Sequence, residues 1–186
     1  MGAGRALVAA LAAAAALAGC GGNDEPAPLP AAPDNIDFAS PDFKDGAEIP
    51  RPLTCDGAGT PPTFTWRGLP SGALELVLLV DDPDASDSPF THWTAYGMSV
   101  ATGGGLAPQG QLPAGTKNGR NSAGENGWTA PCPPEGEDAH TYRFALYAIP
   151  KASGLQDGAT PEAVREALEG AVGRGTFTGT YARSAG

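Results

Sequence analysis

Short runs of β-branched, aromatic and apolar residues, separated by glycine and proline, set the strongest limit on the fold of this chain. Glycine and proline account for 46 of the 186 residues, 27 and 19 respectively, which is about double the usual share of roughly 12%. The 41% hydrophobic content nevertheless argues against a disordered chain. Five runs have the composition of β-strands: Thr63–Leu69, Leu74–Asp81, His92–Ser99, Thr141–Ile149 and Thr176–Tyr181.

The spacing of apolar residues predicts a mostly β domain with a peripheral helix. The apolar run from Leu76 to Val80 is continuous, which favours a central strand covered on both faces. In residues 141–149, successive side chains would instead point to two different faces, as they do in a strand that separates two environments. A helix is predicted to follow Thr160 as N-cap, with Pro161 in its first turn and Gly173 as its stop. Its apolar face would comprise Val164, Leu168, Ala171 and Val172.

The N-terminal residues are typical of an export signal. One basic residue, Arg5, precedes an uncharged run from Ala6 to Ala18, which is shorter than the roughly 20 residues of a membrane-spanning helix. The next positions, ending at Cys20, resemble a bacterial lipoprotein processing site. We therefore predict a signal peptide at 1–19, an acylated Cys20 and a Pro-rich flexible linker over 20–35, followed by one domain at 36–186. The alternative is an ordinary signal peptide with a chance cysteine.

The predicted location is outside the cytoplasm, on a cell membrane, with the lipid anchor as the attachment. The chain has 11 basic against 21 acidic residues and a net charge of −10, which argues against nucleic acid and anionic membrane surfaces as partners. Asp81 and Asp87 are expected to be solvated charges. The anchor could lie on the outer face of the cytoplasmic membrane or on the periplasmic side of an envelope membrane.

The two remaining cysteines, Cys55 and Cys132, form an even pair in an exported chain, so a disulfide is predicted. Two separate buried thiols are the alternative. Between Gly103 and Gly136, 14 of 34 residues are glycine or proline. Inside a compact domain such a stretch favours an ordered functional loop.

Polar side chains lie where several predicted strands begin or end. Asp82 and Asp84 follow the apolar strand, His92 begins the next one, and His140 and Tyr142 begin the fourth. If these strands are neighbours, two carboxylates, two imidazoles and a phenol meet at one end of a sheet. Such an arrangement is a common way to build a ligand pocket.

Several motifs follow one another between about residues 36 and 183: Thr54–Gly57 with Pro61, Pro62 and Trp66, then Asp82–Ala85, His92–Trp93, Pro131–Pro134, His140–Tyr142 and Gly179–Tyr181. In these motifs and their order the chain resembles the phosphatidylethanolamine-binding protein family, in its bacterial Raf-kinase-inhibitor-like branch. The resemblance implies a central antiparallel sheet packed by a smaller second sheet, with flanking helices and a small pocket for phosphate-like anions. Ser86 and Ala130 depart from the family pattern, in which proline and glycine are usual. The pocket residues implied are Asp82, Asp84, His92, Pro134, His140 and Tyr142.

The chemistry expected of this pocket is anion binding without a cofactor or a metal. Carboxylates beside His92 and His140 would favour imidazolium ions, which donate hydrogen bonds from both nitrogens. Tyr142 and loop N–H groups would complete the cradle. Two alternatives remain open: a metal-dependent hydrolase that uses Asp82, Asp84, His92 and His140, and an inhibitor of a protease or kinase that acts on a protein partner through the pocket rim.

Overall fold

A computed structural model describes residues 1, 28–86, 89–101 and 105–185. The predicted signal peptide, Cys20 and Asp87 lie outside the described residues. Among the described residues, no helix is both long and apolar enough to cross a bilayer. The elements are β1 (Asp37–Ala39), β2 (Ala47–Glu48), β3 (Phe64–Arg67), β4 (Glu75–Asp82), β5 (Phe90–Ser99), β6 (Gly105–Ala107), β7 (Lys117–Asn118), β8 (His140–Ile149), α1 (Pro161–Ala167) and β9 (Gly173–Tyr181).

Two sheets form the domain, as predicted. The larger sheet has the order β2-β9-β8-β4-β5-β7, and the smaller has the order β1-β3-β6. β2 pairs in parallel with β9 at one edge, whereas the other pairings between these strands are antiparallel. Side chains from both sheets share one core, which includes Phe38, Phe64, Trp66, Leu78 and Phe144. The fold is therefore mostly β, with helix α1 on the far face of the larger sheet.

The two strands with the clearest sequence patterns occupy the centre of the larger sheet. Every residue of β4 is buried, as its continuous apolar run predicts for a strand covered on both faces. Successive side chains of β8 point to opposite faces of the sheet, as predicted. Phe144 and Leu146 face the small sheet, while Ala145 and Tyr147 face the second core beneath α1.

Helix α1 begins as predicted but ends early. The Thr160 hydroxyl oxygen accepts a hydrogen bond from the Ala163 N–H at 3.3 Å, which is an N-cap. The predicted stop at Gly173 is wrong, because the helix ends at Ala167 and Gly173 begins β9. Gly170 has a φ of +77°, a left-handed conformation that costs glycine little and turns the chain into the sheet.

The last part of the predicted flexible linker lies on the domain. Asp34 pairs with Arg174 through Oδ1 and Oδ2 at 2.8 and 2.9 Å, and Leu29 and Ala32 pack against the core beneath α1. Residues 28–35, here named the strap, therefore extend the packed surface N-terminal of the predicted boundary at residue 36. Composition alone could not reveal this, since the contacts involve residues more than 100 positions away.

Asp81 is not solvated, contrary to the sequence prediction. Its side chain is completely buried. Its oxygens accept hydrogen bonds from the Arg143 Nε and Nη2 atoms at 2.8 and 3.0 Å and from the Arg165 Nη2 atom at 2.9 Å. Arg143 lies opposite Asp81 in the β4–β8 register, and Arg165 belongs to α1. The ion triad thus joins two strands to the helix.

Candidate functional site

A pocket of about 230 Å³ lies at one end of the larger sheet. It lies where β4 ends and where β5 and β8 begin, which is the convergence that the sequence predicts. We call this edge the pocket end of the domain. The pocket is lined by Asp82, Ala85, Ser86, Phe90, His92, Thr129, Ala130, Cys132, Pro133, Pro134, Glu137, His140 and Tyr142.

Asp82 positions other parts of the pocket. Its Oδ1 atom accepts hydrogen bonds from the N–H groups of Asp84 and Ala85 at 2.8 and 3.1 Å. Its Oδ2 atom lies 2.8 Å from His140 Nδ1. Because both oxygens are engaged by the protein and the residue is 3% exposed, Asp82 orients His140 and the turn after β4 instead of offering a free carboxylate.

His140 is the imidazole of the pocket whose surroundings favour the protonated form. Burial alone would lower its pKa, but the hydrogen bond that His140 donates to Asp82, the charges of Asp82 and Asp84, and the hydrogen bond to Glu137 together raise the pKa above its usual value of 6.5. The Asp82 carboxylate only accepts, so His140 Nδ1 carries a proton. The other nitrogen, Nε2, lies 3.7 Å from Glu137 Oε2. In the imidazolium state, Nε2 can therefore donate to an anion in the pocket.

His92 is a neutral wall residue, which corrects the prediction of two imidazolium ions. Burial lowers its pKa below 6.5, against the opposing effects of the Thr129 carbonyl and the charges of Asp82 and Asp81. Nδ1 donates to the Thr129 carbonyl oxygen at 2.9 Å. The ring also contacts two aromatic rings, with centroid distances of 4.8 Å to Phe90 and 5.2 Å to Tyr142.

Tyr142 brings an unpaired donor to the pocket. The residue is 1% exposed, and its hydroxyl has no hydrogen-bond partner among the described residues. Burial, followed by the charges of Asp82 and Asp84, raises the pKa of the phenol well above its usual value of 10. The hydroxyl therefore keeps its proton, and an anion in the pocket would supply the acceptor that a buried donor needs.

The Gly/Pro-rich loop forms an ordered wall of the pocket over its described part. The Thr129 N–H donates to the His92 carbonyl at 3.0 Å, and the Cys55 N–H donates to the Pro131 carbonyl at 3.0 Å. The structure contains the disulfide between Cys55 and Cys132, with a Cα–Cα distance of 5.3 Å. Three of residues 131–134 are prolines, which lack an N–H. The prediction that loop N–H groups complete the cradle is therefore limited to Cys132 within that segment.

Asp84 lies outside the lining of this pocket and shares a neighbouring surface cavity with Glu137 and His140. Its exposed carboxylate accepts a hydrogen bond from the Thr141 N–H at 2.7 Å, and it is absent from the pocket lining. It secures the start of β8 from outside. In the part of the chain that the structure describes, no group of three or more His, Cys, Asp and Glu side chains is placed to hold a metal ion, so the metal-hydrolase alternative gains no support from the geometry.

Glu137 and Phe90 are pocket residues that sequence reasoning missed. Phe90 precedes the predicted start of its strand, since β5 begins two residues before His92. Glu137 lies three residues before His140, and that spacing was a usable signal, because a turn of this length can return the side chain to the imidazole. The carboxylate is 60% exposed and brings a negative charge to the mouth of the pocket.

The chain matches known proteins over most of its length. A family model described as "Phosphatidylethanolamine-binding protein" matches residues 39–182. A Mycobacterium tuberculosis protein named "Putative lipoprotein LppC" is 41% identical over 191 residues, covering 93% of each chain.

Solved structures show the same architecture. A phosphatidylethanolamine-binding protein homologue of Chlamydia trachomatis superposes with a TM-score of 0.71 at 31% identity, covering 80% of this chain and 97% of the other. Escherichia coli YbcL, described as a member of the mammalian family, has a TM-score of 0.73 at 27% identity, with 80% and 98% coverage. The chain therefore belongs to the phosphatidylethanolamine-binding protein family.

Proposed function

We propose that this protein binds phosphate-type anions, such as a phospholipid headgroup or another phosphorylated group, in the pocket at the end of the larger sheet. The observation that carries the proposal is the buried Tyr142 hydroxyl without a partner, which lines the same pocket as the imidazole of His140. Both groups are donors, and an anionic oxygen would satisfy both. The role is binding without catalysis.

The second part of the proposal is a lipid anchor at Cys20 that holds the protein outside the cytoplasm. The sequence up to Cys20 has the form of a lipoprotein signal, and the 41% identical mycobacterial relative carries the name "Putative lipoprotein LppC". The anchor would keep the pocket near a membrane surface, where phospholipid headgroups are concentrated.

Replacing Tyr142 by phenylalanine tests the pocket directly. Binding of glycerophosphoethanolamine, measured by titration calorimetry, is expected to weaken about tenfold, because a hydrogen bond to a charged acceptor is lost. Stability without ligand is expected to stay the same or rise by up to about 1 kcal/mol, since an unsatisfied buried hydroxyl is removed.

The matched control is Tyr147→Phe on the same strand. The Tyr147 hydroxyl donates to the Pro30 carbonyl at 3.1 Å, so this change should lower stability by about 0.5–1.5 kcal/mol and leave binding intact. Unchanged binding in Tyr142→Phe would refute the role of the hydroxyl in the pocket.

Replacing Glu137 by glutamine should strengthen anion binding. The Glu137 carboxylate lies 3.7 Å from His140 Nε2, so it competes with an incoming anion for that donor. At an acidic pH at which His140 stays protonated without Glu137, the expected gain in affinity for inorganic phosphate is about two- to fivefold, since the carboxylate is exposed and screened. Asp138→Asn, one residue along the chain, removes the same charge outside the pocket lining and serves as the control. Equal effects of the two substitutions would contradict a specific competition at His140.

A further inference from the structure

The disulfide between Cys55 and Cys132 is part of the pocket and is open to solvent. Cys132 lines the pocket together with Pro133 and Pro134. Both cysteines of the bridge are exposed. Exposed disulfides are reduced more easily than shielded ones, and the labile and regulatory disulfides of proteins are found among them. The bridge is thus within reach of a thiol in solution while the domain stays folded.

The turn that carries Cys55 is held independently of the disulfide. Arg51 Nε donates a hydrogen bond to the Asp56 carbonyl oxygen at 2.8 Å. The Asp56 carboxylate accepts hydrogen bonds from the Tyr181 hydroxyl at 2.7 Å and from Arg183 Nε at 3.1 Å. These bonds join the turn to the end of β9 and to the chain that follows it. Breaking the S–S bond would therefore leave this turn in place.

Cys132 lies in the least supported part of the pocket wall. On one side of it, the Pro131 carbonyl accepts a hydrogen bond from a backbone N–H at 3.0 Å. On the other side, the Glu135 carboxylate accepts a hydrogen bond from Arg183 Nη2 at 2.8 Å. Residues 132–134 make no hydrogen bond to any other residue that the structure describes, and two of them are prolines, which lack an N–H. Apart from side-chain packing, the disulfide is what fixes this span.

The bridge therefore ties a weakly held wall to a firmly held turn. With the bridge intact, residues 132–134 are ordered before a ligand arrives. Without it, the span is attached only at its two ends and gains conformational freedom. A ligand that needs this wall must then order it, and the lost entropy lowers the affinity.

We infer that the Cys55–Cys132 disulfide is a redox switch of the pocket, in which the oxidised form binds the anion and reduction by a dithiol outside the cytoplasm weakens binding. The inference rests on the anion-binding pocket of the proposed function and adds the regulation of that site. The rest of the domain keeps its structure in both states, because neither cysteine belongs to a strand or a helix.

The reaction is thiol–disulfide exchange, with the dithiol as the reductant. One thiolate of the dithiol attacks a sulfur of the bridge and forms a mixed disulfide, while the other cysteine leaves as a thiolate and takes up a proton. The second thiolate of the dithiol attacks the mixed disulfide and releases the remaining cysteine, which is also protonated. In total, two electrons and two protons pass from the dithiol to Cys55 and Cys132, and the reductant leaves as a disulfide.

The first measurement concerns access to the bridge in the folded protein. Full-length protein is treated with dithiothreitol, and alkylation with iodoacetamide followed by mass spectrometry reports the free thiols of Cys55 and Cys132. We expect reduction without denaturant, at a rate that stays constant in urea concentrations below the unfolding transition. A rate that rises with urea in parallel with unfolding would mean that thiols reach the bridge only in the unfolded chain, and the switch would be wrong.

The second measurement concerns affinity. Binding of glycerophosphoethanolamine, followed by titration calorimetry, is expected to weaken about five- to twentyfold on reduction and to recover when oxidised glutathione restores the bridge. The double variant Cys55→Ser, Cys132→Ser should bind as the reduced protein does and should not respond to dithiothreitol. Tyr147→Phe is the control for lost stability, since it leaves the wall intact and should respond to dithiothreitol as the unsubstituted protein does.

The outcomes separate the switch from the pocket. Equal affinities of the oxidised and the reduced protein would overturn the switch and leave the pocket in place. Absence of binding by the oxidised protein would overturn the proposed function, and the switch with it. A thermal melt that finds the reduced protein unfolded at the titration temperature would also overturn the switch, because the bridge would then hold the whole fold.

Discussion

Replacing Asp81 by alanine is expected to lower the free energy of unfolding by about 3–5 kcal/mol, the largest effect on stability that this structure indicates. The substitution removes the shared partner of Arg143 and Arg165, which donate to Asp81 at 2.8–3.0 Å. Both guanidinium groups are largely buried, with side chains 16% and 22% exposed. Without Asp81, two positive charges remain in a poorly solvated site without compensation.

Urea denaturation followed by circular dichroism measures this loss, and the melting temperature should fall on the order of 10 °C. The matched control is Asp37→Ala, which breaks the exposed pair with Arg67, whose side chains are 60% and 80% exposed. The Asp37→Ala substitution should lower the free energy of unfolding by at most about 1 kcal/mol. A comparable small loss for Asp81→Ala would mean that the triad contributes little to joining α1 to the sheet.

Replacing His140 by glutamine is expected to weaken anion binding by about ten- to a hundredfold, the range that follows from losing one charge-assisted hydrogen bond. Glutamine is neutral at every pH, so the variant also loses the cation that the pocket presents. Glycerophosphoethanolamine is the suitable probe, because its phosphodiester stays monoanionic across the pH range tested. Isothermal calorimetry with a thermal melt of each variant separates binding from folding.

The pH dependence has a definite sign. The pKa of His140 lies above 6.5, so the imidazolium and the affinity are fully present at lower pH. Affinity should fall as the pH rises through that raised pKa. In the His140→Gln variant, affinity should no longer depend on pH. In the Asp82→Asn variant, affinity should fall at a lower pH than in the unsubstituted protein, because the main stabiliser of the imidazolium is lost.

His92→Gln is the matched control. The pKa of His92 is lowered by burial, so its ring is neutral at the same pH values. The substitution should leave the pH midpoint of binding in place. If His92→Gln moved the pH midpoint of binding and His140→Gln left it unchanged, the cation would be His92, and the assignment to His140 would be wrong.

Much of the fold could be predicted from local patterns. The five strand segments lie within a few residues of β3, β4, β5, β8 and β9, because alternating or continuous apolar runs depend on which faces a strand buries. The helix start was also predictable, since a cap is a local interaction between Thr160 and Ala163. Its end was not, because Ala171 and Val172 continue the apolar pattern beyond the last helical turn.

The site was predictable in part for a similar reason. Asp82, His92, His140 and Tyr142 stand where strands begin or end, and the resemblance to the family named them together with Pro134. The separate roles of the carboxylates were not predictable. Asp81 and Asp82 are neighbours in β4, so their side chains point to opposite faces. One lies beneath the helix and the other in the pocket.

The sequence by itself determined the strands, the pairing candidates among the cysteines, the family and the place where polar groups gather, because each of these depends on residue types at short spacing. Only the tertiary structure decided that the surroundings raise the pKa of His140 and lower that of His92, that Asp84 secures a strand from outside, and that residues 28–35 pack on the domain. These outcomes depend on burial, which lowers the pKa of His92, and on partners distant in the sequence: Asp82 for His140 and Arg174 for residues 28–35. Desolvation and long-range hydrogen bonds exist only once the sheets have packed.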